Sequence, residues 1–529
     1  MAANTELSPI NRFYSGKSIV VTGSTGFIGK VLIEKLLYSC PDVKKIYLLI
    51  RSSNGMSPHS RMLAMISQRP FDMRLKRDFI LSKLEAIDCD LSKSQLGLSA
   101  DSQSLLIDDV NIIFHVAASV KFDAPLEVNM RHNVVATKEL LEFATHFKQL
   151  ACFIHVSTAY SNCQLHQIDE RIYPMDVPDD PMTLKVTSDM LDNRPNTYTY
   201  TKAIAESFAN QYAGRMNVVV VRPSIVMSAL SEPVEGWVDT INGPVGLSVL
   251  GALGILQKIK VNSGVVFDLI PVDTVCRALL SIAWAATEKR SEFTSAAAAT
   301  TTTTSGDALR ITENNNEEQA TVFNLTTGNE NPCSFYRYFS IGREEAYKKP
   351  STRALRPLLT IPKQTGMNPL QYWIHKILTH LLFAYLIDLI LSIVGQKRMV
   401  VKAVNRMHHA NEVFDYFCSN QWTFNTDNVK RLRELQSKHD KITYDCDVRK
   451  INWNFYAKIA WLGCRRFILK ESDDSVDYAR MRYKAVCWIY YSAKIFLLLA
   501  LTSIASYCLD SRAILWMVMM PIYGVVYLV

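Results

Sequence analysis

A glycine-rich stretch near the N-terminus most constrains what this chain can fold into. Residues 19–37 read IVVTGSTGFIGKVLIEKLL. Ile19 to Val21 form an apolar β-branched run, which predicts a buried parallel strand. Gly23, Gly26 and Gly29 follow in G-x-x-G-x-x-G spacing, and the apolar residues after them recur at helical period. A strand, a glycine turn and a helix in this order are typical of a dinucleotide-binding site.

Each glycine of this turn has a separate physical role. The first permits a tight turn, the second lets the backbone approach a pyrophosphate, and the third lets the helix pack on the strand. The helix N-terminus then offers free N–H groups and the positive end of its dipole to the phosphates. The residues expected to contact the cofactor here are Gly23, Ser24, Thr25, Gly26, Phe27, Ile28 and Gly29.

The residue after the second predicted strand indicates which dinucleotide is bound. Residues 45–50 read KIYLLI, and Arg51 follows them. A site selective for NAD usually places an acidic residue near this position, about 20 residues past the glycines, to bond the ribose 2′-hydroxyl. A fixed cation suits a 2′-phosphate instead, so the sequence favours NADPH. The alternative interpretation is a solvated arginine at a strand end.

Strands alternate with helices along the first half of the chain. Further strands are predicted at 87–90, 111–116, 152–156 and 218–221, with helical stretches between them. This alternation predicts an α/β fold with a doubly wound parallel sheet of the Rossmann type. Ligands of such sheets lie beyond the carboxyl ends of the strands. The further cofactor contacts expected there are Asp90, Leu91, Ala117, Ala118 and Pro223.

Tyr198 and Lys202 are the candidate catalytic pair. They are four residues apart in a predicted helix and therefore share one face. A free tyrosine titrates near pH 10, and we expect the Lys202 ammonium to lower that pKa. Lys202 can also reach the ribose hydroxyls of a nicotinamide nucleotide. Ser157 and Thr158, at the end of the preceding strand, are candidates for the catalytic hydroxyl.

Composition narrows the class of protein. The chain has 529 residues, of which 48% are apolar and 20% charged, as in a globular protein with a membrane component. The net charge of +8 and the lack of a lysine-rich tail argue against nucleic-acid binding. The eleven scattered cysteines, with no C-x-x-C pair, indicate reduced thiols in a cytosol-facing protein. We expect no metal site.

Several segments lie outside the predicted Rossmann fold. Residues 1–16 are expected to be a polar tail without the apolar core of a signal peptide. Residues 291–318 are of low complexity and are predicted to be a disordered insertion. Residues 361–475 read as a helical domain, with Trp422, Phe424 and Trp453 expected in its core.

Three apolar runs suggest a membrane. Residues 485–509 are long enough to cross a bilayer, and 513–529 are a candidate for a second span. The basic residues before the first run place that side in the cytosol. Residues 377–394 fit an amphipathic helix against an acyl chain or the bilayer surface better than a third span. His380 within them is expected to be structural.

Together these segments resemble the extended short-chain dehydrogenases and, among them, the alcohol-forming fatty acyl-CoA reductases. The segments that carry this resemblance are TGSTGFIG, LLIRSS, HVAASVKF, HVSTAYSN, PNTYTYTKAIAE, VRPSIV, GWVDTINGP and IPVD. Three more lie in the C-terminal half and read HLLFAYLID, FCSNQWTF and INWNFY. The sequence departs from the family at Phe383, where a proline is usual, and at Arg277, where an asparagine is usual.

The resemblance implies a substrate and a reaction. NADPH would reduce a long-chain acyl-CoA, through an aldehyde, to a primary alcohol and free coenzyme A, within wax-ester or ether-lipid synthesis. Tyr198 would be the general acid, Lys202 its partner, and Thr158 or Ser157 the oxyanion donor. Residues 17–360 would form the NADP-binding and substrate domain, facing the cytosol from the endoplasmic reticulum or peroxisomal membrane. The sequence leaves homo-oligomerisation open.

Two other functions are compatible with part of the sequence. A membrane-bound hydroxysteroid or sugar-nucleotide dehydrogenase of the same superfamily shares the glycine turn and the Tyr/Lys pair, but leaves the C-terminal half unexplained. A catalytically silent, membrane-anchored binding protein would be unaffected by Tyr198→Phe.

Overall fold

The computed structural model describes residues 7–293, apart from 123, 174, 176, 178, 179, 184–193 and 260, together with 319–360 and 369–508. Most of the predicted insertion and the candidate second span at 513–529 lie outside these described residues. The predicted first span continues an α-helix that already begins at Val476.

A seven-stranded parallel sheet forms the centre of the fold and confirms the predicted class. Its order is β3-β2-β1-β4-β5-β7-β10, with every neighbouring pair parallel. These strands are β1 Ser18–Thr22, β2 Lys45–Ile50, β3 Leu84–Asp88, β4 Val110–His115, β5 Cys152–Val156, β7 Val218–Pro223 and β10 Thr321–Leu325. From β1 the chain adds β2 and β3 on one side of the sheet and then β4, β5, β7 and β10 on the other. The strand order therefore reverses between β1 and β4. This reversal opens the crevice in which doubly wound folds bind ligands.

Helices cover both faces of this sheet. The described α-helices of the first 360 residues are α1 Pro9–Tyr14, α2 Phe27–Ser39, α3 Pro58–Ile66, α4 Arg77–Lys83, α5 Ala100–Asp109, α6 Leu126–Asn129, α7 Ala136–Ala144, α8 Thr197–Gln211, α9 Pro244–Ala252, α10 Val272–Glu288 and α11 Phe335–Lys348. A π-helical turn, Met130–Val135, joins α6 to α7. On one face α2 and α10 bury the larger apolar cluster, and on the other α7 and α8 bury the second.

The C-terminal region adds mostly helices. They are α12 Pro369–His375, α13 Leu382–Ile393, α14 Val400–Ser419, α15 Asp427–Leu435, α16 Asp440–Thr443, α17 Trp453–Gly463 and α18 Val476–Cys508. A π-helical turn, Lys376–Leu381, joins α12 to α13. Two small parallel pairs complete the strands: β6 Gln167–Ile168 with β11 Thr423–Phe424, and β8 Ile225–Met227 with β9 Leu269–Pro271.

Part of the expected N-terminal polar tail is built into the fold. Helix α1 is capped by Ser8, whose hydroxyl accepts a hydrogen bond from the Asn11 backbone N–H. Ile10 and Tyr14 are fully buried, and the Tyr14 hydroxyl donates to the Leu280 carbonyl at 2.9 Å. The segment is helical because these apolar side chains pack on α10. The polar residues between them in the sequence obscure this apolar pattern, which is why the segment was expected to be a polar tail.

The C-terminal helices share their core with the Rossmann part. Trp422 and Phe424 pack edge-on against Tyr160, which follows β5. The buried carboxyl of Glu170 accepts hydrogen bonds from the backbone N–H groups of Asn324, at 2.9 Å, and Asn428, at 2.6 Å. Burial raises the pKa of Glu170 to about 8. The Rossmann part and the C-terminal helices are therefore joined by side chains that are buried only where the two regions meet.

Two glycines allow a close backbone contact between the two regions. Gly236 lies in the loop after β8 with φ +74°, and Gly463 ends α17. A Cβ on Gly463 would lie 1.8 Å from the Gly236 carbonyl oxygen, and one on Gly236 would lie 2.3 Å from the Ile459 oxygen. Helix α17 can therefore dock on this loop only where both side chains are absent.

We predict that Gly463→Ala destabilises the protein, whereas Gly214→Ala does not. Overpacking of this kind typically costs about 1–3 kcal/mol, and here backbone rather than a flexible side chain would have to move. Gly214 has no heavy atom within 4 Å of its would-be Cβ and is the matched control. Thermal unfolding of the solubilised full-length variants measures both effects. Equal midpoints for the two variants would contradict the close contact.

Candidate active site

The glycine turn lies at the carboxyl end of β1 as predicted. Gly23 has φ +68°, and a Cβ there would lie 2.7 Å from the Ala117 nitrogen, at the end of β4. A Cβ on Gly29 would lie 2.3 Å from the Gly23 oxygen. Gly26 immediately precedes α2. The Ser24 hydroxyl is buried and has no hydrogen-bond partner in the described part of the chain. A bare backbone cradle with a free hydroxyl at a helix N-terminus fits a pyrophosphate.

A buried hydrogen-bond chain holds the end of β4 beside this turn. The Thr22 hydroxyl accepts from the Val116 and Ala117 N–H groups, both at 3.1 Å, and contacts His115 Nδ1 at 2.8 Å. His115 Nε2 lies 2.9 Å from the Thr137 hydroxyl. Burial lowers the pKa of His115 to about 3, which keeps the ring neutral. Thr137 donates to a backbone carbonyl, so His115 carries its proton on Nε2 and accepts from Thr22.

An asparagine connects the loop after β4 to α8. The Asn133 Oδ1 accepts from Ser119 N–H at 2.7 Å, and its Nδ2 donates to the Thr201 hydroxyl at 3.1 Å. Asn129 makes a parallel link, donating to the Thr197 hydroxyl at 2.8 Å. These contacts fix where α8 lies along the sheet edge, because each asparagine donates to a threonine on a different turn of that helix.

Arg51 and Asp90 follow β2 and β3, at the outer end of the crevice. Arg51 is exposed. Hydrogen bonds from Ser92 hold the pKa of the Asp90 carboxyl below its usual value, and the nearby charge of Arg51 adds to the effect. β3 ends at Asp88, two residues before the predicted strand end. Asp90 therefore lies in a turn after the strand, and its carboxylate stabilises that turn by accepting a hydrogen bond from the Ser92 N–H at 3.1 Å.

Tyr198 lies in the first turn of α8, beside the hydroxyl of Thr158. Helix α8 is capped by Asn196, whose Oδ1 accepts from the Thr199 N–H at 3.0 Å. The Tyr198 phenol lies beside the Thr158 side chain, and its ring meets Phe122 edge-on at 5.3 Å. Burial raises the pKa of Tyr198 to about 12, although the neighbouring Thr158 hydroxyl works in the opposite direction.

The expected effect of Lys202 on Tyr198 is wrong for this structure. Lys202 is buried one helical turn from Tyr198, but its Nζ donates to the Val156 carbonyl at 2.7 Å. Burial lowers the pKa of Lys202 to about 8. Loss of solvation dominates the pKa of the partly buried Tyr198 phenol, and the Val156 carbonyl holds the Lys202 ammonium at the end of β5.

The structure separates the two candidate hydroxyls at the end of β5. The Ser157 hydroxyl donates to the Glu206 carboxylate, which is paired with the fully buried Arg222 through an Nη2–Oε2 contact of 2.6 Å. Thr158, by contrast, meets Tyr198. Glu206 and Arg222 were not identified from the sequence; the signal available was a glutamate four residues after Lys202, on the same helical face.

The C-terminal region closes the site with aromatic rings. Phe414 and Phe417, on α14, pack on Phe122 at centroid distances of 5.6 and 5.9 Å. A Cβ on Gly243, just before α9, would lie 3.0 Å from the Phe414 ring. These residues were missed by sequence reasoning, because nothing in the chain order indicates that α14 returns to β5.

The remaining predicted cofactor residues frame this edge of the sheet. The Pro223 carbonyl, at the end of β7, accepts from the Ala159 N–H at 2.9 Å. Leu91 and Ala118 are half-buried at the ends that follow β3 and β4. Thr25 is partly buried in the glycine turn, while Phe27 stacks on Trp237 at 5.5 Å.

The two departures from the family pattern lie in structural contacts. Arg277 pairs with Asp273 at 2.6 Å and donates to the Asp445 carbonyl at 3.1 Å. The Arg356 guanidinium lies over the Phe383 ring at 4.4 Å. His380 accepts from the Gln257 N–H at 3.0 Å, which agrees with the structural role expected for it.

Comparison with known proteins finds two family models, both described as Male sterility protein: an NAD-binding model over residues 21–279 and a second model over 379–471. Fatty acyl-CoA reductase 1 of Xenopus laevis is 36% identical over 489 residues, with 89% of this chain and 88% of the relative covered. The Homo sapiens protein of that name is 35% identical over the same length, with the same coverage. Fatty acyl-CoA reductase 2 of Mus musculus is 33% identical over 506 residues, covering 92% of this chain and 91% of its own.

Two solved structures share the fold. The terminal R domain of the myxalamid PKS-NRPS pathway is 17% identical with a TM-score of 0.55, covering 87% of this chain and 93% of that one. The reductase domain of a non-ribosomal peptide synthetase from Mycobacterium tuberculosis is 16% identical with a TM-score of 0.54 at the same coverage. At these identities the likeness concerns the fold alone.

We predict that Arg222→Met destabilises the protein more than the double variant Glu206→Gln/Arg222→Met. The single substitution leaves a buried carboxylate without its partner, which typically costs about 3–5 kcal/mol. In the double variant no charge is left unpaired. Thermal unfolding midpoints of the full-length proteins test the order. A double variant as unstable as the single one would show that the ion pair itself is not what Arg222 contributes.

Proposed function

The chain belongs to the fatty acyl-CoA reductase family, and on that premise we propose that Tyr198, Thr158 and Lys202 reduce a long-chain acyl-CoA with NADPH. The family relationship makes the chain an oxidoreductase that takes a nicotinamide cofactor and reduces fatty acyl-CoA to alcohol. The catalytic residues, the aldehyde intermediate, the choice of NADPH and the membrane are the parts that we add.

One observation supports the catalytic assignment above the others. The Tyr198 phenol lies beside the Thr158 side chain at the carboxyl end of β5, at the same edge of the sheet as the glycine turn. Because its pKa is about 12, Tyr198 is protonated at neutral pH and suits the role of proton donor rather than base. Ser157 is occupied by Glu206, which favours Thr158 as the hydroxyl that contacts the substrate oxygen.

The residues present fit a nicotinamide nucleotide, which supplies the hydride when bound. Ser24 and the N-terminus of α2 would hold its phosphates, and Lys202 would hold its ribose. Thr158 would donate a hydrogen bond to the thioester oxygen as negative charge develops on it. Tyr198 would then give that oxygen its proton.

The reaction balances as two successive reductions. In the first, the thioester carbon gains a hydride and its oxygen a proton, the carbon–sulfur bond then breaks, and coenzyme A leaves as the thiol. The resulting aldehyde accepts a second hydride on carbon and a second proton on oxygen. One acyl-CoA, two NADPH and two protons thus give one primary alcohol, one coenzyme A and two NADP⁺.

Helix α18 supports attachment to a membrane. The described residues include two helical stretches long and apolar enough to cross a bilayer, Tyr372–Ile393 and Asp473–Ala500. In the second stretch, Trp488 and Phe496 are exposed, whereas Tyr483 is buried against the rest of the chain. We therefore propose that α18 leaves the catalytic part near residue 485 and anchors it at the cytosolic face of the endoplasmic reticulum or peroxisomal membrane.

We predict that Tyr198→Phe lowers fatty alcohol formation by about 10²–10⁴-fold, the range for loss of a positioned proton donor. Thr158→Val should lose a similar or smaller factor. Tyr200→Phe, the same change two residues along α8, is the control and should retain activity. Purified full-length protein is supplied with NADPH and palmitoyl-CoA, and coenzyme A release and alcohol are both measured.

Several results would contradict this assignment. Wild-type activity in Tyr198→Phe would exclude Tyr198 as the acid. Absence of turnover in the wild type and in every variant would favour a silent binding protein. Equal losses in Tyr198→Phe and Tyr200→Phe would indicate a general effect on α8. Accumulated aldehyde in the wild type would mean that the reaction stops after one hydride.

We predict that Arg51→Ala reduces the preference for NADPH over NADH, because Arg51 is the exposed cation that would face the 2′-phosphate. The ratio of kcat/KM values for the two cofactors should fall by about tenfold or more, consistent with loss of one or more charged hydrogen bonds. Arg77→Ala, which removes an exposed arginine bonded to Ser67, is the matched control. An unchanged ratio would mean that Arg51 is only a surface residue.

A further inference from the structure

The outer face of α13 and the turn before it carries large apolar side chains that the described residues leave uncovered. They repeat at helical spacing and are Leu378, Leu382, Leu386, Leu389, Ile390 and Ile393. Leu389 is 57% exposed and Ile393 77%. We call this set the outer stripe. A continuous apolar stripe on a protein surface is typical of a contact with a membrane or another protein.

The opposite face of the same helix is fastened to the body of the protein. The Thr379 carbonyl accepts from Arg356 Nη1 at 2.6 Å, and His380 accepts from the Gln257 N–H at 3.0 Å. Further along, the Asp388 carboxylate accepts three hydrogen bonds, each 3.0 Å, from the first N–H groups at the start of α14. The polar residues of this apolar segment are therefore used within the protein.

The positions of these attachments decide how the helix can lie. Thr379 and Asp388 are nine residues apart, about 13 Å along a helix. The segment therefore lies along the body of the protein over much of its length. If it crossed a bilayer, Arg356 and the capped end of α14 would be carried into hydrocarbon, where charged groups are costly. Its length alone would have allowed a crossing, but its attachments do not.

The outer stripe and the membrane helix are attached to the same short segment. Arg356 holds the Thr379 carbonyl, and two residues later the Leu358 N–H donates to the Tyr483 hydroxyl of α18 at 3.1 Å. Arg482 donates to the nearby Ala354 carbonyl at 3.0 Å. The stripe is thus held next to the point where α18 leaves the body.

We propose that the outer stripe lies on the surface of the bilayer that α18 enters, with the helix axis in the membrane plane. Amphipathic helices of this kind immerse their apolar face by about 5–10 Å at the boundary of headgroups and acyl chains. Lys397 and Lys402, both exposed just after α13, would meet anionic headgroups. This inference depends on the proposed membrane anchoring by α18 and not on the proposed chemistry.

This arrangement connects the membrane surface to the catalytic residues. Helix α14 begins at the Asp388 cap, beside the stripe, and carries Phe417 near its other end. Phe417 packs on Phe122, and Phe122 in turn meets the Tyr198 ring. The helix has 20 residues, about 30 Å in length. An acyl chain that leaves the bilayer at the outer stripe could therefore lie along α14 as it extends towards the candidate active site.

Spin-label depth measurements on the full-length protein test the proposal. Single cysteines replace Leu378, Leu382, Leu389 and Ile393, in a background of Cys487→Ala and Cys508→Ser. The control is Lys148→Cys, at a side chain that is 68% exposed and outside the proposed membrane contact. The protein is reconstituted in phosphatidylcholine vesicles that contain phosphatidylserine. We expect the four stripe labels to be relaxed by oxygen, shielded from a water-soluble nickel chelate, and at one similar shallow depth. The control label should be open to the chelate.

Each other pattern overturns the proposal. A depth that passes through a maximum between 378 and 393 would show that the helix crosses the membrane. Access of the nickel chelate to all four labels would show that no bilayer covers the stripe. Shielding from both relaxing agents would indicate a protein contact, such as a second copy of this chain. Because the measurement needs no turnover, the outcome is independent of whether the chain reduces acyl-CoA.

Discussion

The close approach of backbone at the end of β1 is the constraint on which the rest of the structure depends. The Gly23 carbonyl lies where a Cβ on Gly29 would be, and a Cβ on Gly23 would meet the Ala117 nitrogen. Thr22 then fixes the end of β4 through its hydroxyl. With these contacts in place, the carboxyl ends of β1 and β4 are held at one distance, and a nucleotide site can form between them.

The candidate catalytic side chains are placed by burial as much as by their neighbours. Lys202 and Arg222 are fully or almost fully buried, and each has a defined partner: a carbonyl for the first and the Glu206 carboxylate for the second. Glu206 also holds the Ser157 hydroxyl. Because a buried charge is costly without a partner, these contacts restrict the conformations available around Tyr198 and leave Thr158 as the hydroxyl beside it.

The C-terminal region completes the site rather than forming a separate unit. Phe414 and Phe417 reach Phe122 from α14, and Gly463 brings α17 onto the loop that contains Gly236. The same region contains the outer stripe and the N-terminal part of α18 that packs against the rest of the protein. The candidate site, the proposed membrane contact and the Rossmann core are therefore parts of one packed structure.

The sequence by itself determined the parallel sheet, the glycine turn and the pairing of Tyr198 with Lys202 on one helical face, because these follow from short-range periodicity and backbone sterics. It favoured Thr158 over Ser157 only narrowly, through the resemblance to related reductases, and it suggested a lowered pKa for Tyr198 where burial raises it. The choice between the two hydroxyls and the pKa of Tyr198 both depend on which groups, distant in the sequence, surround these side chains in the folded protein. Glu206, Arg222 and Phe417 are brought to the site only by tertiary packing, and solvent exclusion, which sets the pKa of a phenol, is a property of the folded chain.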